Sequence, residues 1–170
     1  MAKVDAPSGL QLIASGGREP RRVRRQTAAN CGIMASGDCY TVSNNVISRA
    51  TANPNGVIEA LEVQPLSGPV SHDYVPANTQ LWVIGIEDAD AEFVVQMTTG
   101  DTLADSDFDS GAQVDIVDGT PCLVPVHSIQ EVTTKSVAGD LKLVRLVDSP
   151  DNSLGEHSKV VVKLLAANVV

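Results

Sequence analysis

The side chains best suited to chemistry in this chain are carboxylates, and they gather in two clusters. Glu87, Asp88, Asp90 and Glu92 lie close together, a density that serves either a calcium loop or a general acid/base pair. A helix-loop-helix calcium site needs acids at fixed spacing, a central glycine and a closing glutamate. That pattern is absent, so the four acids read as a solvated turn. Asp105, Asp107 and Asp109 alternate and would face one way on an extended chain, a weak signal for a loose divalent-cation site. The three cysteines, Cys31, Cys39 and Cys122, read as free thiols. Cys31 and Cys39 lack a zinc-knuckle spacing, and His72, His127 and His157 stand singly. Gly-x-Ser-x-Gly, Walker, Rossmann and His-Glu-x-x-His signatures do not occur. The residues therefore imply no cofactor, no metal site and no catalytic set, and the chain is expected not to be an enzyme.

The second feature with chemical potential is a basic run, Arg18, Arg21, Arg22, Arg24 and Arg25. It admits three readings: a solvated tail, a patch that meets an acidic protein surface, or a nucleic-acid contact. The last is disfavoured because no aromatic is interleaved to stack bases. Charge is unevenly placed along the chain. Residues 1–50 hold seven Lys or Arg against three Asp or Glu, giving +4. Residues 51–170 hold five against eighteen, giving −13, and the two sum to −9. An acidic body argues against a nucleic-acid surface there, since a phosphate backbone needs a positive field.

The elements that must position these residues are strands. The chain has 170 residues, enough for one domain with a core. Hydrophobic residues make up 43% but aromatics only 3%, so the core is built from Val, Ile, Leu and Ala. Abundant Val and Thr favour strands. No apolar run is long enough to span a bilayer, and Met1–Ser8 lacks the apolar region of a signal peptide, so the protein is expected to be made and assembled inside a cell, not secreted by the general route, and to have no membrane partner. Residues 1–30 read as an extended basic arm, within which Leu10, Leu12 and Ile13 are suited to add as a strand to another surface. Residues 31–170 read as the body. Strands are expected over 39–42, 57–63, 81–86, 92–97, 113–117, 122–126 and 128–132, punctuated by turns at Gly37-Asp38, Asn44-Asn45, 53–56 and Asp118-Gly119. Residues 64–80, rich in Pro and Gly, read as an exposed loop. The strand 122–126 is expected to pair with 113–117. Alternation over 141–146 puts Leu141, Leu143 and Arg145 on one face and Lys142, Val144 and Leu146 on the other, as for a strand packed on both sides. A shaped loop at 149–155 then leads to Lys159–Leu165. The fold class is all-β: a single β-barrel or β-sandwich of about eight to ten short antiparallel strands behind an extended N-terminal arm.

Several segments occur in an order that resembles a known family. They are Asp5–Leu10, the Gly37-Asp38 turn, Leu81–Ile84 with its acidic turn, Phe93–Gln96, and Leu143–Gly155 followed by Lys159–Lys163. Of these, Asp148–Gly155 is the most specific. The order resembles the capsid decoration proteins of tailed bacteriophages, also called cement or head-stabilising proteins. The chain departs from that pattern in its more basic Arg21–Arg25 run and in the missing Pro of the Glu87–Asp90 turn. The resemblance implies a non-enzymatic virion protein on the outer surface of an icosahedral capsid, assembled in the host cytoplasm. It implies the major capsid protein and other copies of the chain, in a trimer by analogy, as partners. Leu10, Leu12, Ile13, Arg18, Arg21, Arg22, Arg24 and Arg25 are the candidate capsid-binding residues, with the acidic body facing solvent. The alternatives are a host-surface or carbohydrate-binding module, which would need exposed aromatics, and an oligonucleotide-binding barrel, which would need a basic aromatic groove.

Overall fold

The computed structural model describes residues 9–62, 74–98, 103–118, 128–136, 138–155 and 157–169. In chain order its strands are β1 (Gln11–Ala14), β2 (Arg22–Thr27), β3 (Met34–Ala35), β4 (Cys39–Ser43), β5 (Val46–Arg49), β6 (Gly56–Glu62), β7 (Tyr74–Val75), β8 (Trp82–Ile86), β9 (Glu92–Gln96), β10 (Gln113–Asp118), β11 (Gln130–Ser136), β12 (Leu141–Leu146) and β13 (Lys159–Leu164). One short helix, α1 (Asp105–Ser110), interrupts them.

Five strands close into a barrel in the order β2-β5-β4-β6-β8. Its pairs are antiparallel except β2 with β5, which is parallel. Six others form an antiparallel sheet in the order β1-β9-β13-β12-β10-β11. This sheet curls until Met97, just past β9, bridges Val132 of β11. The Thr98 N–H donates to the Val132 carbonyl at 3.0 Å, and the Thr98 hydroxyl to that of Thr133 at 3.0 Å. β3 and β7 make a small separate ribbon.

Local chemistry explains the turns. Asn44 and Asn45 have φ of 50° and 63°. Positive φ at both central residues is the two-residue hairpin turn whose twist matches its strands, and asparagine tolerates it well. The β12–β13 loop is shaped by Asn152. Its side-chain amide donates to the Val147 and Lys159 carbonyls, each at 2.8 Å, and its oxygen accepts from the Lys159 N–H at 2.8 Å.

Period-two alternation divides the apolar residues between two cores. Tyr40, Ile47, Ile58 and Val83 point into the barrel. Their odd-numbered-step neighbours on the same strands, Cys39, Val57 and Ile86, point outward and join Phe93, Val95, Leu141, Leu143, Val160 and Val162 inside the curled sheet. The barrel wall thus covers the open side of the sheet. Tyr40 is fully buried, and a Cβ on Gly56 or Gly85 would collide with its phenol. The two glycines are slots in facing strands that leave room for the ring.

The all-β class holds, with differences in detail. There are thirteen strands among the described residues rather than eight to ten, and one barrel pair is parallel. From residue 9 onward the expected arm is part of the body: β1 lies on β9, and β2 is a barrel stave. Deleting residues 1–25 would remove β1 and most of β2, so the arm is not separable. Around 141–146 a bulge between Leu143 and Arg145 resets the alternation. Leu141 and Leu143 are buried and Lys142 is exposed, but Arg145 turns outward and Leu146 packs on the core. The strand therefore buries one face and not two. β10 pairs with β11 and β12. The expected 122–126 strand, Cys122 and the Gly119 turn lie outside the described residues, as do His72, His127 and residues 64–73. Tyr74 and Val75, expected in a loop, form β7.

Gly85→Ala is expected to destabilise the protein by about 1–3 kcal/mol, the cost of overpacking a filled core. Gly32→Ala, where a Cβ meets nothing, should stay within about 0.5 kcal/mol. Urea-unfolding midpoints of the two variants check this pair.

Candidate functional site

The arginine run lies along β2 and the turn before it, facing the acidic turn after β8. β2 and β8 are antiparallel, with Arg22 opposite Ile86 and Arg25 opposite Val83. That register brings Arg18, Arg21 and Arg25 onto the carboxylates at 87–90.

Glu87 is 0% exposed. Arg25 forks onto it, Nε donating to Oε1 at 2.7 Å and a terminal NH2 to Oε2 at 2.8 Å. The Tyr40 hydroxyl donates to Oε1 at 3.0 Å from inside the barrel. The Arg21 guanidinium lies 3.9 Å away. Asp88 is buried too. Its Oδ1 accepts from Arg18 at 3.0 Å and from the Asp90 N–H at 2.9 Å, and its Oδ2 from the Arg21 N–H at 3.0 Å. Arg18 also reaches Asp90 at 3.0 Å. The expectation of a solvated acidic turn is therefore overturned for Glu87 and Asp88, where the arginines supply what water would have supplied, while Asp90 is exposed.

Arg22 donates to Glu59 through Nε at 2.6 Å and NH2 at 2.8 Å, and to Glu19 at 2.8 Å. Glu59 is the extra residue at a bulge between Ile58 and Ala60. Arg24 lies over the Trp82 ring, 4.2 Å from its centroid. Arg49 lies 3.3 Å from the buried Asp38 and 2.6 Å from Asp118.

The proton affinities follow from these contacts. The hydrogen bonds to Glu87 hold the Arg25 guanidinium above its usual pKa, and those to Glu59 do the same for Arg22, in each case against desolvation. Burial, and then Glu87, push the Tyr40 phenol well above its usual range, so it is a standing donor. Burial raises the Asp88 carboxyl, but the Asp90 and Arg21 amides and the charges of Arg18 and Arg21 outweigh it and leave the pKa below 3.8. Burial pushes the Cys39 thiol well up.

Three further polar side chains join the two cores. Gln130 accepts from the Cys39 N–H at 2.6 Å and donates to the Ala50 carbonyl at 2.8 Å, so β11 is tied to the barrel by a side-chain amide. Asp38 accepts from the Ala35 N–H at 2.8 Å and from the Ser128 hydroxyl. Asp140 accepts from the Ile116 N–H at 3.0 Å and from the Asn53 N–H. Gly37-Asp38 read as a plain turn, and nothing in the sequence marked Gln130 or Asp140.

The eight candidate contact residues separate. Leu10 is 2% exposed and belongs to the core, and Leu12 packs on that core. Ile13 is 46% exposed. Arg18, Arg21, Arg22 and Arg25 face carboxylates of this chain and Arg24 its tryptophan. The acidic surface that the basic run meets is the protein's own. Asp105, Asp107 and Asp109 do not align, because they sit on α1, and Asp107 is buried and accepts from the Ala104 N–H at 2.9 Å. Among the described residues no group of three His, Cys, Asp or Glu converges to hold a metal ion. Between β1 and β6 runs a groove of ≈ 440 Å³, with Gln11 and Leu12 on one wall and Ser36 and Glu59 on the other.

Comparison with protein-family models, with curated proteins and with solved structures finds no match to this chain.

Arg25→Met should cost about 3–5 kcal/mol, because it strands the buried Glu87 charge, and Arg25→Met with Glu87→Met should recover most of that. Urea unfolding of the single and double variants measures both. The depressed Asp88 pKa contributes stability that is present above the unfolded carboxyl value, near 3.8. That contribution is lost as pH falls through the lower folded value. Thermal melts from pH 6 to about pH 2 should therefore fall less steeply for Asp88→Asn than for the parent.

Proposed function

We propose that the protein is a structural component of a tailed-phage particle that binds the outside of the capsid and stabilises it. The proposal starts from the order of sequence segments, which resembles that of decoration proteins, Asp148–Gly155 above all. The observation that carries it in three dimensions is the use made of the buried polar groups. Glu87, Asp88, Asp38, Gln130 and Asp140 are engaged in joining strands, turns and sheets. That is the economy of a body selected for rigidity. A cement protein gains by binding the assembled shell better than free subunits, which shifts the equilibrium toward assembly.

In this reading the arginines are not the docking surface, since Arg18, Arg21, Arg22 and Arg25 already face carboxylates of this chain and Arg24 lies on Trp82. Binding falls to surfaces such as the β1 edge with its exposed Ile13. The expected salt dependence of docking is correspondingly weak.

Purified protein mixed with phage shells lacking it is expected to co-sediment stoichiometrically, to ignore free capsid protein, and to change little between low and moderate salt. Absence from the pellet would reject the reading. A glycan-array signal would transfer the weight to a host-surface module.

A further inference from the structure

The barrel and the curled sheet repeat one topology. Set β2, β4, β5, β6 and β8 in chain order against β9, β10, β11, β12 and β13. β2 meets β5 in parallel, and β9 meets β11 in parallel through the Met97 to Val132 bridge. The antiparallel pairs β4–β5, β4–β6, β6–β8 and β2–β8 recur as β10–β11, β10–β12, β12–β13 and β9–β13. The registers agree as well. The bulge between Ile58 and Ala60 in β6 recurs between Leu143 and Arg145 in β12. The Thr27 and Ala28 N–H groups donate to the Leu81 and Ile47 carbonyls at 2.9 and 2.8 Å. Their counterparts, Met97 and Thr98, donate to the Ser158 and Val132 carbonyls at 2.8 and 3.0 Å. The Val42 N–H donates to the Asn55 side chain at 2.6 Å, and the Ile116 N–H to that of Asp140 at 3.0 Å.

These registers decide which inward side chains are equivalent. Ile47, Ile58 and Val83 correspond to Val132, Leu143 and Val160, and all six are buried. Arg25, Tyr40 and Glu87 correspond to Val95, Val114 and Leu164. Gly56 and Gly85, which make room for the Tyr40 ring, correspond to Leu141 and Val162. The first copy thus fills five inward positions with an ion pair, a phenol and two glycines, and the second fills the same five with Val and Leu. A strand set of this topology closes without a buried charge.

We propose that Arg25, Tyr40 and Glu87 are a label that keeps the strands of the two like halves from exchanging. Two copies of one fold in one chain invite a strand of either half to enter the other. β2 in the place of β9 would set Arg25 opposite Val160 and near Leu164, a buried cation with no carboxylate. β9 in the place of β2 would leave Glu87 facing Val95. An unpaired buried charge is far less tolerable than altered apolar packing, so both exchanges are rejected. This inference concerns assembly of the chain and does not depend on the capsid reading.

The test is refolding of the full-length protein by rapid dilution from urea, each variant at the same distance below its own unfolding midpoint. Trp82, the single tryptophan, reports the result, because it lies on β8 with Arg24 of β2 over its ring. Recovery is scored against the same variant refolded slowly by dialysis. The parent should recover its native emission. Arg25→Met with Glu87→Met, which keeps the ring and both glycines, should recover roughly two-fold less, the remainder being misassembled. A second variant writes the interior of the second half into the first: Arg25→Val, Tyr40→Val, Gly56→Leu, Gly85→Val and Glu87→Leu. Its urea midpoint should exceed that of Gly85→Val alone, which collides with the phenol, and it should show the same refolding loss. If the double variant does not fold, the five-residue variant carries the measurement. Recovery equal to the parent's in the charge-free variants overturns the label. A five-residue variant that is unfolded, or no more stable than Gly85→Val, overturns the equivalence on which the label rests.

Discussion

A carboxylate with 0% exposure, Glu87, is the constraint around which the barrel is arranged. A buried charge is tolerated only when paired and hydrogen-bonded. Arg25 brings the pairing from β2, and Tyr40 brings the remaining bond from inside the barrel. Tyr40 can reach it only because Gly56 and Gly85 leave the phenol its space. Four strands, β2, β4, β6 and β8, are thereby fixed relative to one another by one side chain at the end of β8. A pair of this kind adds modest net stability, but removing either half is costly, so it favours one register over its neighbours. A one-residue slip of β2 would put Arg25 on the outside and leave Glu87 bare.

The same logic links the barrel to the curled sheet. The sheet core contains residues from the barrel's outer wall, so the sheet has no complete interior alone, whereas the barrel core draws on none of its strands. Gln130 behaves as a spare peptide group, giving the Cys39 N–H and the Ala50 carbonyl the partners an adjacent strand would give. Asp38 and Asp140 do comparable service for backbone N–H groups at Ala35 and Ile116. Buried backbone donors must be paired somewhere, and here short polar side chains pair them where two curved sheets cannot continue each other's ladders.

The strand segments and the Asn44-Asn45 hairpin were legible because alternation and turn chemistry are local signals. The long-range use of charge was not. Arg18 to Arg25 looked like a tail because apolar residues are sparse around them, yet β2 is a barrel strand. Its single inward-facing row includes Val23, Arg25 and Thr27, so the usual apolar alternation is missing. The Glu87–Asp90 cluster looked solvated for the same reason: acids are read as exposed unless their cations are known, and those lie some sixty residues upstream. The bulge at Val144 likewise hid the true face of β12, since a period-two reading assumes an uninterrupted ladder. Asp105–Asp109 was misread because three alternating acids suggest an extended chain, while α1 folds them into a turn and a half.

The position of β2 in the closed barrel sets an order of events during synthesis. Its two neighbours are β5, in parallel, and β8. To close the barrel, β2 must therefore wait on the ribosome until Trp82–Ile86 has emerged, a delay of seconds at about 5–20 residues per second. Through that interval the nascent segment carries five arginines and almost no apolar surface. Like charges keep such segments apart from one another, as gatekeeper residues do. Arg18, Arg21 and Arg25 then lose that role when Glu87 and Asp88 arrive behind β8, and for them barrel closure and charge cancellation become a single step.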